Sequence, residues 1–164
     1  MTPPSPHLHS IWTTPSAGGA PERRGSVLAI AGRGLSGDRY AAGVGSFSAR
    51  DNGNAREVTL IAIEDVDGFA RETSFRGSPG ELRRNLVTSG LDLRELEGAV
   101  LAIGHVRLEI AGTCPPCGLL DRYLAIPART SLRERGGMRA RITVGGELVE
   151  GEPIQIERAP RRLP

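Results

Sequence analysis

Short apolar runs separated by turn residues dominate the hydrophobic pattern of this chain. Runs of strand length predict strands over 8–13, 26–31, 57–63, 100–103, 106–111, 139–144, 147–149 and 153–157. A further strand is expected after the turn and brief helical segment near 78–87. Helical spacing of apolar residues occurs at 64–72, behind two acidic residues, and a second short helix is expected at 118–124.

This order of elements predicts the fold class. Strands that do not alternate with long helices argue against a doubly wound parallel sheet. We therefore expect a mainly β fold, a closed or nearly closed β-barrel with a few short helical insertions. Gly104-His105 and Gly145-Gly146 each predict a hairpin turn. We expect one domain over 8–158, a disordered N-terminal end over 1–7 and a tail over 159–164.

Composition and charge narrow the function classes. All 21 basic residues of the 164-residue chain are arginine, which excludes lysine Schiff bases and a phosphate-loop lysine. Any anion must therefore be held by guanidinium groups or backbone N–H groups. The net charge of +2 is too small to indicate nucleic acid as a partner. No apolar run is long enough for a membrane span, no secretory signal is present, and two cysteines do not make a disulfide scaffold, so we expect a cytoplasmic protein.

The two cysteines stand in a CxxC motif, Thr113-Cys114-Pro115-Pro116-Cys117-Gly118. Four chemistries remain open for it. A structural zinc site would need two ligands besides the cysteines. The sequence has no second CxxC motif, and only one histidine, His105, lies near the cysteines in sequence. A redox dithiol is disfavoured because two consecutive prolines tend to hold the cysteines apart. The other possibilities are a single thiolate acting as nucleophile or soft-metal ligand, and two inert buried residues.

The glycine-rich segment 32–54 predicts a long loop, and loops of this length in compact domains are usually functional. It opens an ordered series of short motifs at 34–40, 56–61, 83–87, 90–93, 112–117, 136–141 and 151–153. This series resembles the MOSC domain, the module at the C-terminus of molybdenum cofactor sulfurases, in its stand-alone bacterial form. The sequence departs from the pattern after Cys117, where Gly118 and two leucines replace Ser-Arg-Met.

The resemblance implies a barrel-like fold that binds a pyranopterin molybdenum cofactor, or handles sulfur, through Cys117 as catalytic cysteine and metal ligand. It leaves Cys114 to assist Cys117, to accept persulfide sulfur or merely to pack. Some relatives reduce N-hydroxylated compounds. Because no flavin or iron–sulfur motif is present, a separate reductase would supply the electrons. The alternatives are a non-catalytic carrier of sulfur or cofactor, served by a sulfur donor protein, and a small thiol–disulfide protein.

Candidate cofactor-binding residues lie in the same motifs. Arg39, Arg56 and Arg84 are candidates for phosphate, because a planar guanidinium meets phosphate oxygens in two parallel hydrogen bonds. Arg139 and Arg141 share one face of a predicted strand, and the pattern slightly favours solvent there. The remaining candidates are Gly37 for close backbone approach, Asp38 for orienting Arg39, Asn85 for a pterin edge or a turn, and the motif residues Thr113 and Gly137.

Overall fold

The structure is a computed structural model that describes residues 4–43, 57–116 and 118–160. Within these ranges the chain is mainly β, as predicted. The strands are β1 (His7–Thr13), β2 (Glu22–Arg24), β3 (Ser26–Ile30), β4 (Gly34–Leu35), β5 (Val58–Ala62), β6 (Leu86–Ser89), β7 (Val100–Ile103), β8 (Val106–Thr113), β9 (Met138–Val144), β10 (Gly146–Val149) and β11 (Ile154–Arg158). The helices are α1 (Ile63–Glu72), α2 (Gly118–Leu124) and α3 (Ala128–Ser131), with 3₁₀ turns at Pro79–Leu82 and Leu93–Glu95. None of the helices in these ranges is long and apolar enough to cross a membrane.

The strands of the described residues form two sheets. The larger one has the order β11-β7-β8-β9-β5-β6-β1-β2, and the smaller one has the order β10-β3-β4. The β5–β6 pair is parallel, and α1 and the first 3₁₀ turn lie in the connection between these strands. Parallel neighbours require such a crossover because a tight turn can join only antiparallel strands.

The predicted closure into a barrel is not confirmed, because neither sheet of the described residues closes on itself. A short seam nevertheless joins β1 to the segment that leads into β11. The backbone N–H of Leu8 donates to the carbonyl of Glu152 at 2.9 Å, and that of Ile154 donates to Pro6 at 2.9 Å. These bonds bring the two ends of the described chain together without making β11 and β1 sheet neighbours.

One of the two predicted hairpins is found and the other is wrong. Strands β7 and β8 pair around Gly104-His105, with Ile103 opposite Val106. Strands β9 and β10 do not pair with each other, because β9 lies in the large sheet and β10 pairs with β3. The chain changes sheets at the glycine pair, where a Cβ on Gly145 would lie 2.7 Å from the carbonyl oxygen of Ala29. Gly145-Gly146 therefore serves as a crossing point between sheets.

The sheet faces separate two apolar clusters. Consecutive strand residues point to opposite faces. Leu60 and Leu86 accordingly join the main core, whereas their neighbours Ile61 and Val87 pack under the helices. Phe69 of α1 is fully buried in this second cluster. The helix-facing side of the central strands is the side that carries the candidate site.

Candidate functional site

A cavity of about 510 Å³ opens between the helix-facing side of the central strands and helix α2. Among the described residues, four arginines line it: Arg39, Arg83, Arg84 and Arg139. No aspartate or glutamate is among the lining residues that the structure describes. A concave site with guanidinium groups and no carboxylates favours an anionic ligand over a neutral or cationic one.

Asp38 anchors the first of these arginines from behind the cavity wall. Its side chain is only 1% exposed. The carboxylate accepts hydrogen bonds from the backbone N–H of Thr14 at 2.8 Å and of Tyr40 at 3.2 Å. It lies 3.5 Å from Nη1 of Arg39, whose guanidinium stacks 4.7 Å from the centre of the Tyr40 ring. This geometry allows Asp38 to orient Arg39.

Asn85 lies on the cavity wall with both ends of its amide engaged by protein. Its Oδ1 accepts from the backbone N–H and the hydroxyl of Thr59, at 3.1 and 3.2 Å. Its Nδ2 donates to the carbonyl of Trp12 at 3.1 Å and to Asp38 at 3.3 Å. Of its two predicted roles, ordering the local backbone fits these contacts better than reading a pterin edge.

Arg83 is a cavity residue that sequence analysis missed. It ends the first 3₁₀ turn in the left-handed conformation, with φ of 66°, which is uncommon for a residue with a side chain. Its guanidinium lies 4.9 Å from the ring centre of Tyr123 and donates to the carbonyl of Gly19. Burial lowers the pKa of Arg83 below its ordinary value, and the charge of Arg39 lowers it further. Such crowding of like charges is relieved when an anion binds between them.

Arg84 connects three of the sequence motifs. Its Nε donates to the carbonyl of Gly136 at 2.7 Å, and its Nη2 donates to the carbonyl of Cys114 at 2.8 Å. The backbone N–H of Cys114 in turn donates to Gly137 at 2.9 Å. Gly137 has φ of +100°, and a Cβ there would lie 2.0 Å from the carbonyl oxygen of Leu60. A glycine is therefore required where the 136–137 turn meets β5.

Arg139 is the second cavity residue absent from the predicted set. It alternates along β9 with Met138, whose side chain is in the main core, so Arg139 points to the helix-facing side. Its Nε is sealed from solvent and has no hydrogen-bond partner among the described residues. Arg141 lies farther along the strand, half-exposed and 3.7 Å from Glu109. The predicted preference for solvent therefore fits Arg141 and is wrong for Arg139. The sequence feature that could have placed Arg139 in the site is its position in the motif at 136–141.

The other predicted site residues divide into three groups. Thr113 and Cys114 line the cavity, and Cys114 is half-buried there. Gly37 instead lines a separate groove of about 400 Å³ beside β3. Cys117 and Arg56 lie outside the described residues, so their roles stay predictions. Pro116, the residue before Cys117, lines the arginine-lined cavity.

Comparisons with known proteins agree with this architecture. YuaD from Bacillus subtilis superimposes with a TM-score of 0.75 over 93% of this chain and 96% of that chain, at 18% identity. YiiM from Geobacillus stearothermophilus gives a TM-score of 0.71 over 92% of this chain and 74% of that chain, at 12% identity. YiiM from Escherichia coli gives 0.64 over 99% of this chain and 72% of that chain, at 17% identity. Identities this low establish a shared fold only.

No curated protein matches the sequence significantly. The family model of the MOSC domain does match, over residues 48–155. That span runs from the segment before β5 into β11 and includes Arg83, Arg84, Cys114 and Arg139. Since the match covers more than half of the sequence, this chain belongs to the MOSC domain family.

Proposed function

We propose that this protein binds a pyranopterin molybdenum cofactor in the arginine-lined cavity, with Cys117 as the protein ligand of the metal. One observation carries the proposal. Among the described residues that line the cavity, four are arginines and none has a carboxylate, and the segment that leads into Cys117 lies beside them. Membership of the MOSC family supports the choice of cofactor. Thiolate is a suitable ligand for thiophilic metals.

The residues present fit the chemical groups of such a cofactor. Its phosphate needs strong N–H donors, and the guanidinium groups of Arg39, Arg83 and Arg139 can supply them in a chain that has no lysine. Leu119 and Leu120 of α2 supply apolar wall for a ring system.

When bound, the cofactor would supply molybdenum chemistry for removing oxygen from N-hydroxylated compounds. The chain's own contribution would be to hold the phosphate by its arginines and to offer the leucines of α2 as apolar wall. Because the sequence has no flavin or iron–sulfur motif, we propose that a separate reductase protein supplies the electrons.

Metal analysis tests the proposal. Protein purified from a host that makes the cofactor should carry one molybdenum atom per chain. Cys117→Ala should lose the metal, because the thiolate ligand is gone. Cys114→Ala is the matched control, and we expect it to retain most of the metal. Retention of molybdenum by Cys117→Ala would exclude Cys117 as its ligand, and absence of molybdenum from the wild-type protein would refute binding of the cofactor.

A second candidate is a carrier of sulfur. The segment 114–116 at the cavity leads into Cys117, and a single thiolate can carry sulfur as a persulfide without a resident metal. Intact-mass measurement of freshly isolated protein distinguishes the two functions. A persulfide on Cys117 without molybdenum would support the carrier, and a disulfide with neither would support the thiol–disulfide alternative.

A further inference from the structure

We propose that Arg84 is a positioning residue that couples the occupancy of the cavity to the position of the cysteine loop, defined here as residues 114–116, which lead to Cys117. The inference deepens the proposed function and rests on it only for the identity of the anionic ligand. The proposal rests on the two hydrogen bonds that one edge of the Arg84 guanidinium group makes, and on the place of this residue in the cavity lining.

One edge of Arg84 holds the loop. The Nε–H and the neighbouring Nη2–H point in parallel, and they donate to two different carbonyls, Gly136 and Cys114. A lysine cannot reproduce this arrangement, since its ammonium lacks the rigid fork. The guanidinium therefore fixes the distance between the cysteine loop and the turn that precedes β9.

The packing around the loop shows how closely it is held. A Cβ on Gly136 would lie 2.8 Å from Cδ of Pro116 and 3.0 Å from the carbonyl oxygen of Cys114. The backbone N–H of Cys114 also donates to Gly137 at 2.9 Å. The loop thus has little space to move while both Arg84 bonds are intact.

The Nη1 group of Arg84 is not used to hold the loop. Arg84 lines the cavity, and its Nη1 group has no hydrogen-bond partner among the described residues. An anion bound at Nη1 orients the guanidinium and so reinforces the two bonds on the opposite edge. Because coupling between sites is reciprocal, an ordered loop must favour the anion as much as the anion favours the ordered loop.

Arg84 differs from the other arginines of the cavity in its contact with the cysteine loop. Arg39 is oriented by Asp38, and Arg83 is held by Gly19 and Tyr123, so neither contacts the cysteine loop through a described hydrogen bond. Arg84 alone, among the described cavity arginines, donates to a cysteine backbone. Its loss should therefore change the chemistry of the cysteines as well as the affinity for anions.

The test uses cofactor-free protein, iodoacetamide and inorganic phosphate. Alkylation of Cys114 is followed by peptide mass spectrometry in the wild type, in Arg84→Lys and in Arg76→Lys. Arg76 is a matched control, because it also donates to backbone carbonyls, those of Ala70 and Phe75, but outside the cavity. Both substitutions keep the positive charge.

Without phosphate, we expect Arg84→Lys to alkylate Cys114 at least about tenfold faster than the wild type, the factor that corresponds to the lower limit for loss of one charged hydrogen bond. Arg76→Lys should stay within about twofold of the wild type. Phosphate should slow alkylation in the wild type, and this effect should disappear in Arg84→Lys. Equal rates in all three proteins, or an undiminished phosphate effect in Arg84→Lys, would overturn the proposal.

A second variant covers the case in which Arg84→Lys does not fold, as judged by circular dichroism. Gly136→Ala pushes on the loop and leaves Arg84 in place, and it should also accelerate alkylation. An unchanged rate in a folded Gly136→Ala protein would contradict a positioned loop. Since no molybdenum is used, the outcome is independent of whether the metal analysis supports the proposed function.

Discussion

Replacement of Asp38 by alanine is the sharpest test of how the cavity wall is built. The substitution removes one buried carboxylate that accepts from Thr14, Tyr40 and Asn85 and lies beside Arg39. Each buried donor left without a partner costs about 1–3 kcal/mol. Breaking a buried ion pair on one side typically costs about 3–5 kcal/mol. We take this second figure as the total, since the losses are not additive.

Urea unfolding measures the effect. With a slope of about 2 kcal/mol per molar urea, we expect the midpoint of Asp38→Ala to fall by roughly 1.5–2.5 M. The control is Glu157→Ala, whose carboxylate is 51% exposed and pairs with Arg107 at 2.9 Å. An exposed pair contributes about 0–1 kcal/mol, so its midpoint should hardly move. If both variants lose the same stability, the Asp38 network does not support the wall.

Three further substitutions probe the turn, the second apolar cluster and a surface ion pair. Gly137→Ala should lower the melting temperature strongly, because its Cβ would lie 2.0 Å from the carbonyl oxygen of Leu60. The control is Gly32→Ala, where φ is also positive but the space is open, and it should cost only about 1 kcal/mol. Equal shifts in the melting temperature would refute the steric reasoning. Phe69→Ala should cost about 3–5 kcal/mol in urea unfolding, since the ring is fully buried against Phe75; a loss below about 1 kcal/mol would be inconsistent with that packing. The hydrogen bond from Arg23 holds the pKa of Glu150 below its ordinary value, so its stabilisation is present above the unfolded pKa and is lost as the pH falls through the folded one. Glu150→Gln should therefore lower stability by less than about 1 kcal/mol at neutral pH and by nothing at strongly acidic pH, and a larger loss in acid would reverse the sign of this argument.

Most individual strands could be predicted from the sequence, because each carries a local apolar pattern. The hairpin of β7 and β8 was predictable for the same reason, since its turn and both strands are contiguous. The partner of β10 was not, because pairing with β3 depends on residues more than a hundred positions away. Barrel closure is likewise a property of the whole sheet order, and the prediction of a closed sheet is not confirmed.

Within the candidate site, the sequence predicts the cavity residues that stand in recognisable motifs. It does not predict those that reach the cavity only through the local backbone conformation or the strand face. Arg39 and Arg84 were predicted and line the cavity. Arg83 reaches the cavity through a left-handed backbone conformation that nothing in its local sequence indicates. Arg139 required knowledge of which face of β9 meets the helices. Gly37, predicted for close backbone approach to a cofactor, borders a separate groove, and a glycine-rich loop does not reveal in advance which groove it will border.

The seam between Pro6–Leu8 and Glu152–Ile154 has a consequence for how the molecule is made. The groups it joins lie almost a full chain length apart, so β1 leaves the ribosome long before its partner is synthesised. Closing so long a loop costs entropy that later contacts must offset. Shortened chains that stop before Gly151 should therefore expose the backbone of Leu8 and be sensitive to proteases, whatever the state of the arginine-lined cavity.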